Sequence, residues 1–226
     1  VAAGLGGGGI CIVYSSSQQK AGEFDFLARE PAGGGAYAIP GGPAGIAALQ
    51  LQYGRLPWQR IVSPAEGFAA AGFSVSQALY ARLVANLDVV RLDAQLAGEF
   101  LDETGHLKPA GATVEAPALA QTLSRVRVQG ADAFYRDAIA EDLAGYAHAQ
   151  GGSITSEELA SYRPARNAPL RIPITSAIVF VPSESTGAGK YARALFSKLV
   201  DAQGQPVDPD HTGAAVASAT KTSRCL

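Results

Sequence analysis

The chain alternates between stretches whose apolar residues recur every second position and stretches with a helical recurrence, and each change of period marks an element. Ile10 to Tyr14 is a short β-branched run behind a glycine stretch, and Glu23 to Leu27 alternates around Phe24 and Phe26. Both read as strands, joined by a polar hairpin over Ser15 to Lys20. From Pro43 the spacing changes: Ile46, Leu49 and Tyr53 fall at i, i+3 and i+7, with Pro43 near the helix start and Gly54 past its end. Ser63-Pro64-Ala65-Glu66 spells a capping box with proline at the first helical position, which predicts two short helices over Pro57 to Gly72, meeting at Ser63. Ser74 with Gln77 repeats the device ahead of Leu79, Leu83 and Leu87. Further helices are expected from Ala118 to Gln129 and from Ala131 towards Gln150, where Gly151-Gly152 stops the second. Thr155 and Glu158 form a third box, opening a helix that Tyr162 and Pro164 close.

After Pro173 the pattern reverts to strand over Thr175 to Val181, followed by a glycine-containing turn and a helix with Leu195, Leu199 and Val200 on one side. Gln203 to His211 reads as a loop, Thr212 to Ala219 as a small β-compatible segment, and Arg224-Cys225-Leu226 as the start of another strand.

Composition adds exclusions. With 47% hydrophobic and 17% charged residues, the 226-residue chain can bury a core. Its 18 Lys and Arg against 20 Asp and Glu leave a net charge of −2 without basic clusters, which argues against a nucleic-acid footprint. No apolar run reaches the roughly 18 residues that a membrane span needs. The chain has no methionine, and so reads as a processed or excised portion of a longer product. Cys11 and Cys225 show no metal spacing and His106, His148 and His211 are scattered, so no metal or cofactor is expected. Gly4 to Gly9 satisfies the dinucleotide pattern G-x-G-x-x-G, but a strand follows it where a helix should. Thr186-Gly187-Ala188-Gly189-Lys190 sits where a phosphate loop would, yet Glu184 and Tyr191 replace its first glycine and its magnesium-binding hydroxyl.

Four ordered stretches carry a stronger signal. The first is Gly4 to Gly9 running into Ile10-Cys11-Ile12-Val13-Tyr14, then Phe24-Asp25-Phe26 with Arg29-Glu30-Pro31-Ala32. Next come Ile39-Pro40-Gly41 with Tyr53-Gly54-Arg55-Leu56-Pro57-Trp58, Pro64-Ala65-Glu66 and Gly72-Phe73-Ser74-Val75-Ser76. The third joins Gly130-Ala131-Asp132-Ala133-Phe134-Tyr135 to Gly151-Gly152-Ser153-Ile154-Thr155 and Leu159-Ala160-Ser161-Tyr162; the fourth, weaker, is Pro182 to Gly187. In order and spacing they resemble the gamma-glutamyltranspeptidase family over most of residues 4 to 200. The resemblance implies an α+β fold, the αββα sandwich of N-terminal-nucleophile hydrolases, of which this chain is the helix-rich large-subunit part. Residues 1–211 would be a large-subunit portion, incomplete at its N-terminus, and 212–226 the start of the small subunit. The implied partner is the small subunit of the same precursor, and the implied substrate a γ-glutamyl amide such as glutathione. By the same analogy the compartment is periplasmic or extracellular, with the cytoplasm left open.

Thr212-Gly213-Ala214-Ala215-Val216-Ala217 resembles the small-subunit start of compact members, which places self-cleavage between His211 and Thr212 and makes Thr212 the catalytic nucleophile. A threonine at a chain terminus supplies a hydroxyl and, in its own amine of pKa about 8, the base that activates it. The alternative reading is an ordinary threonine leading a strand, and Gly213 departs from the hydroxyl residue that often follows the nucleophile. Arg29 is the candidate substrate-binding residue, since a guanidinium fork matches both oxygens of a free α-carboxylate. In many members the arginine directly follows the Asp-Phe pair, whereas here Leu27-Ala28 intervenes. An extended chain would still put residues 27 and 29 on one side about 7 Å apart. The other role open to Arg29 is a surface ion pair with Glu30 or Asp25, and Arg55 reads as a structural clamp on helix-end carbonyls. Two further functions stay open: an acylase of this fold taking glutaryl-type amides, and a non-catalytic relative acting as a binding or assembly subunit.

Overall fold

The computed structural model describes residues 4–175, 177–201 and 204–205. They divide into two compact units, residues 4–7 with Arg29–Tyr162, and Gly8–Ala28 with the described residues from Arg163 onward. In chain order the elements are β1 (Ile10–Ser15), β2 (Lys20–Asp25), α1 (Gly42–Tyr53), α2 (Trp58–Ala71), β3 (Phe73–Ser74), α3 (Gln77–Ala85), α4 (Leu87–Leu92) and α5 (Ala94–Phe100). There follow β4 (Thr113–Val114), α6 (Pro117–Gln129), a 3-10 turn at Ala131–Tyr135, α7 (Asp137–Ala149), α8 (Ser156–Ser161), β5 (Ala165–Asn167), β6 (Leu170–Ile174), β7 (Ala177–Val181) and α9 (Gly187–Leu199).

The first unit is helical and its apolar residues gather in three clusters. One surrounds the 3-10 turn, α7 and α8 through Phe134, Tyr135, Ile139, Leu159 and Tyr162. A second joins Val75, Leu83, Val90, Phe100 and Val114, and a third joins Val62 and Ala69 of α2 to Ala116 and Leu123 beside and in α6. Here α2 corrects an expectation, because it runs unbroken through Pro64. Proline removes one helical hydrogen bond, but α2 lies along α6, with the Trp58 Nε1–H donating to the Val126 carbonyl at 2.8 Å. Glu66 is ion-paired with Arg127 of α6 and therefore does not cap Ser63.

Two other starts move. Ser76, not Ser74, caps α3, accepting the Leu79 N–H at 3.1 Å, because Ser74 is taken up in pairing with Thr113. The segment expected as one helix from Ala131 breaks at Arg136, which is extended at φ −140 and ψ 168. Phe134 and Tyr135 are adjacent yet both buried, and they meet edge to face at 5.2 Å. Docking two neighbouring rings into one core ends the regular turn there. The Thr155–Glu158 capping box forms as the sequence predicts.

In the second unit β1, β2 and β5 make an antiparallel sheet in that order, with Ile10 opposite Asp25 and Ser15 opposite Lys20. β6 alternates Leu170, Ile172 and Ile174 with Arg171 and Pro173, a strand pattern that the proline inside it obscures, whereas β5 has no apolar alternation. The Arg166 guanidinium lies 4.4 Å from the Phe24 ring centroid, and the Asn167 amide donates to Glu23 at 3.0 Å, so partners distant in sequence make β5 a strand. The strand expected from Thr175 begins at Ala177, because Thr175 takes a left-handed φ of 41 in the turn between β6 and β7. His211 and Thr212 lie outside the described residues.

Candidate functional site

The site builds up from the backbone of Arg29. Its N–H donates to the Ile39 carbonyl at 3.0 Å and its carbonyl accepts the Ile39 N–H at 2.8 Å, closing the intervening loop with a two-residue β-bridge. Within the loop the Gly34 N–H donates to the Pro31 carbonyl at 2.9 Å, and the Ser153 hydroxyl donates to the Gly34 carbonyl. A side chain at residue 33 would put its Cβ 2.7 Å from that of Ser153, so the approach requires Gly33. Ala32 is tied to α8, its N–H donating to the Glu158 carboxylate at 2.7 Å, while the same carboxylate accepts the Thr155 N–H at 3.0 Å. The Ala32 N–H first, and then that of Thr155, hold the Glu158 carboxyl below the usual carboxylate range.

The Arg29 side chain is exposed, and its guanidinium carbon sits 5.1 Å from the centroid of the Tyr162 ring. Tyr162 is 5% exposed and stacks on Tyr135 at 5.7 Å with the rings 7° from parallel. The Tyr135 hydroxyl donates to the Pro40 carbonyl at 3.0 Å and accepts the Ala44 N–H at 3.1 Å. Burial pushes the Tyr135 phenol pKa upward, so it remains a neutral donor. Beyond it the Gly41 and Gly42 N–H groups at the start of α1 donate to the Gly7 carbonyl at 3.0 and 2.8 Å. Three of the four motif stretches thus converge on one column: Arg29, Tyr162, Tyr135, the N-terminus of α1 and the glycine turn.

Among the described residues Arg29 makes no ion pair with Glu30, and the Asp25 carboxylate accepts the Leu27 N–H at 3.0 Å. Its guanidinium edges are therefore available to a ligand carboxylate. Arg55 does not clamp the end of α1. That end is closed by the Gly54 N–H on the Gln50 carbonyl at 2.7 Å and by the Gln50 amide on the Leu56 carbonyl at 2.9 Å. Sequence reasoning missed Tyr162, Tyr135 and Glu158 as supports of Arg29. Their signal was present as stretches resembling the family, but nothing local linked those stretches to Arg29.

The fourth stretch lies in the other unit, around a buried carboxylate. Glu23 is 1% exposed and accepts the Ser183 N–H at 2.6 Å, the Ser183 hydroxyl at 2.8 Å and the Asn167 amide at 3.0 Å. Thr186 caps α9, its hydroxyl accepting the Gly189 N–H at 3.0 Å. The Glu23 carboxylate and the Thr186 hydroxyl are both bonded within the protein, so the loop that resembled a phosphate cradle is a structural latch. Among the described residues no three His, Cys, Asp or Glu side chains gather as a metal site, and no helix is long and apolar enough to cross a membrane.

Comparison with known proteins places this architecture. It has the mixed helix-and-sheet fold of the N-terminal-nucleophile hydrolases. Helicobacter pylori gamma-glutamyltranspeptidase superposes with a TM-score of 0.84 at 20% identity, over 99% of this chain and 70% of that one. Cephalosporin acylase from Bacillus halodurans superposes at 0.78 and 22% identity, over 98% of this chain and 45% of that one. Identities this low speak for the fold alone; the family comes from sequence. The gamma-glutamyltranspeptidase family profile matches residues 1–198, and glutathione hydrolase 2 of Arabidopsis thaliana is 34% identical over 160 residues, 70% of this chain and 28% of that protein. The chain belongs to the gamma-glutamyltranspeptidase family. It spans less than a third of the length of the curated relatives it matches.

Proposed function

We propose that this chain serves in the transfer or hydrolysis of γ-glutamyl amides such as glutathione, and that Arg29 binds the α-carboxylate of the γ-glutamyl group. The observation that carries the reading is the Arg29 guanidinium, exposed, free of Glu30, and mounted where the family's motif stretches meet. An arginine offers five N–H donors in a planar fork, and a carboxylate accepts two of them side by side. That choice of partner fits an arginine that makes no ion pair among the described residues.

The chemistry would be completed by a small subunit released from the same precursor between His211 and Thr212. The freed Thr212 amine then takes the proton from its own hydroxyl as the oxygen attacks the γ-amide carbonyl. The tetrahedral oxyanion collapses, the leaving amine departs with that proton, and a γ-glutamyl ester remains on the threonine. Water or an acceptor amine attacks the ester and restores the hydroxyl.

The test uses the complete precursor. We expect intact mass to show two fragments parting before Thr212, and γ-glutamyl-p-nitroanilide to be turned over. Arg29→Ala should raise KM for that substrate about 10- to 100-fold, the loss of one charge-assisted pair. The same variant should leave 4-aminobutyryl-p-nitroanilide, which lacks the carboxylate, as poor a substrate as before. An uncleaved, inactive precursor would overturn the proposal in favour of a binding subunit. Preference for glutaryl-p-nitroanilide, which lacks only the α-amino group, would favour the acylase.

A further inference from the structure

We propose that Tyr162 is a positioning residue for substrate recognition: its ring face sets the plane of the Arg29 guanidinium and thereby aims the N–H edges at the incoming carboxylate. The inference rests on the reading of Arg29 given above and extends it to a residue that never touches the substrate.

An exposed arginine has a long flexible stem, and fixing its head at the moment of binding weakens the complex by the rotamer freedom lost. Arg29 is relieved of much of that loss at both ends. Its backbone is fixed by the paired hydrogen bonds with Ile39 at 3.0 and 2.8 Å. Its head rests 5.1 Å from the Tyr162 centroid, inside the range at which a cation is held by the ring quadrupole. A guanidinium can offer a face to a ring and its N–H edges to a carboxylate at once, so the two contacts are compatible.

The ring can do this only if it is itself immobile. Tyr162 is 5% exposed, its N–H donates to the Leu159 carbonyl at 3.1 Å, and its ring stacks on Tyr135 at 5.7 Å. Tyr135 in turn is anchored through its hydroxyl to Pro40 and Ala44. Arg29, Tyr162 and Tyr135 all belong to one compact unit, so the chain of contacts from guanidinium to α1 is made within a single body. The experiment separates this role from that of a plain core tyrosine.

Kinetics of the full-length processed protein with γ-glutamyl-p-nitroanilide do so. Tyr162→Leu should raise KM about 3- to 30-fold, the span that a ring–guanidinium contact supports, and leave kcat within about twofold. Tyr162→Phe, which keeps the ring face, should stay near the parent KM. Phenylalanines of increasing fluorination at 162 preserve the ring's shape while draining its quadrupole, and KM should climb with each fluorine. This series decides the matter even if Tyr162→Leu does not fold. Adding Tyr162→Leu to Arg29→Ala should raise KM no further than Arg29→Ala alone, because the ring acts through the arginine. A KM indifferent to fluorination, or additive effects in the double variant, would overturn the inference. Were Arg29→Ala itself without effect on KM, the underlying reading of Arg29 would fall instead.

Discussion

At the scale of single residues, one carboxylate fixes the geometry around Arg29. Glu158 closes the capping box of α8 and holds the Ala32 N–H, so the start of a helix and the loop after Arg29 share an anchor. Its pKa is lowered in the folded protein, chiefly by the Ala32 N–H. A depressed carboxylate stabilises the fold fully above its unfolded pKa, and that contribution disappears as pH falls through the lower folded value. We expect Glu158→Gln to lower the thermal midpoint at pH 7. The gap from the parent should narrow as pH falls below the ordinary carboxylate range and close once both states bind the proton. Melting curves of the two proteins between pH 7 and pH 2 measure it, and a gap that persists at the acid end would assign the effect to packing.

Elements were legible in the sequence where a local device defined them and obscure where distant contacts did. The Thr155–Glu158 box and the proline opening α1 stand in the structure as the sequence predicts. The Ser63–Glu66 box has the same spelling, but Arg127 captures Glu66 and the helix passes through Pro64. A cap is an interaction within four residues, and a cross-helix ion pair leaves no local trace. Likewise β5 owes its existence to Phe24 and Glu23, so Ala165-Arg166-Asn167 alone carries no strand signal. Helical glycines offer a test at this scale. Gly67 in α2 is exposed, with nothing near the position of an added Cβ, so Gly67→Ala should stabilise by about 0.5–1 kcal/mol through helix propensity. At Gly189 in α9 an added Cβ would overlap the Ser183 carbonyl beside the Glu23 latch, so Gly189→Ala should destabilise by about 1–3 kcal/mol. Denaturant midpoints of the two variants should move in opposite directions.

For the molecule as a whole, the resemblance read from the sequence carried the family and nominated Arg29, and packing supplied what surrounds Arg29. Tyr162 and Arg29 are far apart in sequence, and only the folded unit sets one over the other. Thr212 lies outside the described residues, so its role rests on the resemblance alone. The proposed function nevertheless makes the two residues separable. The proposed self-cleavage would attack a peptide bond within the chain, between His211 and Thr212, where there is no free α-carboxylate for a guanidinium to bind. On the same proposal, turnover of a γ-glutamyl amide would need both the carboxylate contact and the freed amine of the threonine. Arg29→Ala should therefore still yield two fragments by intact mass, with its defect confined to KM. Thr212→Ala should remain one chain and give no turnover, even though its melting curve shows it folded. A folded Arg29→Ala precursor that fails to cleave would assign Arg29 to processing, and cleavage persisting in Thr212→Ala would move the nucleophile elsewhere.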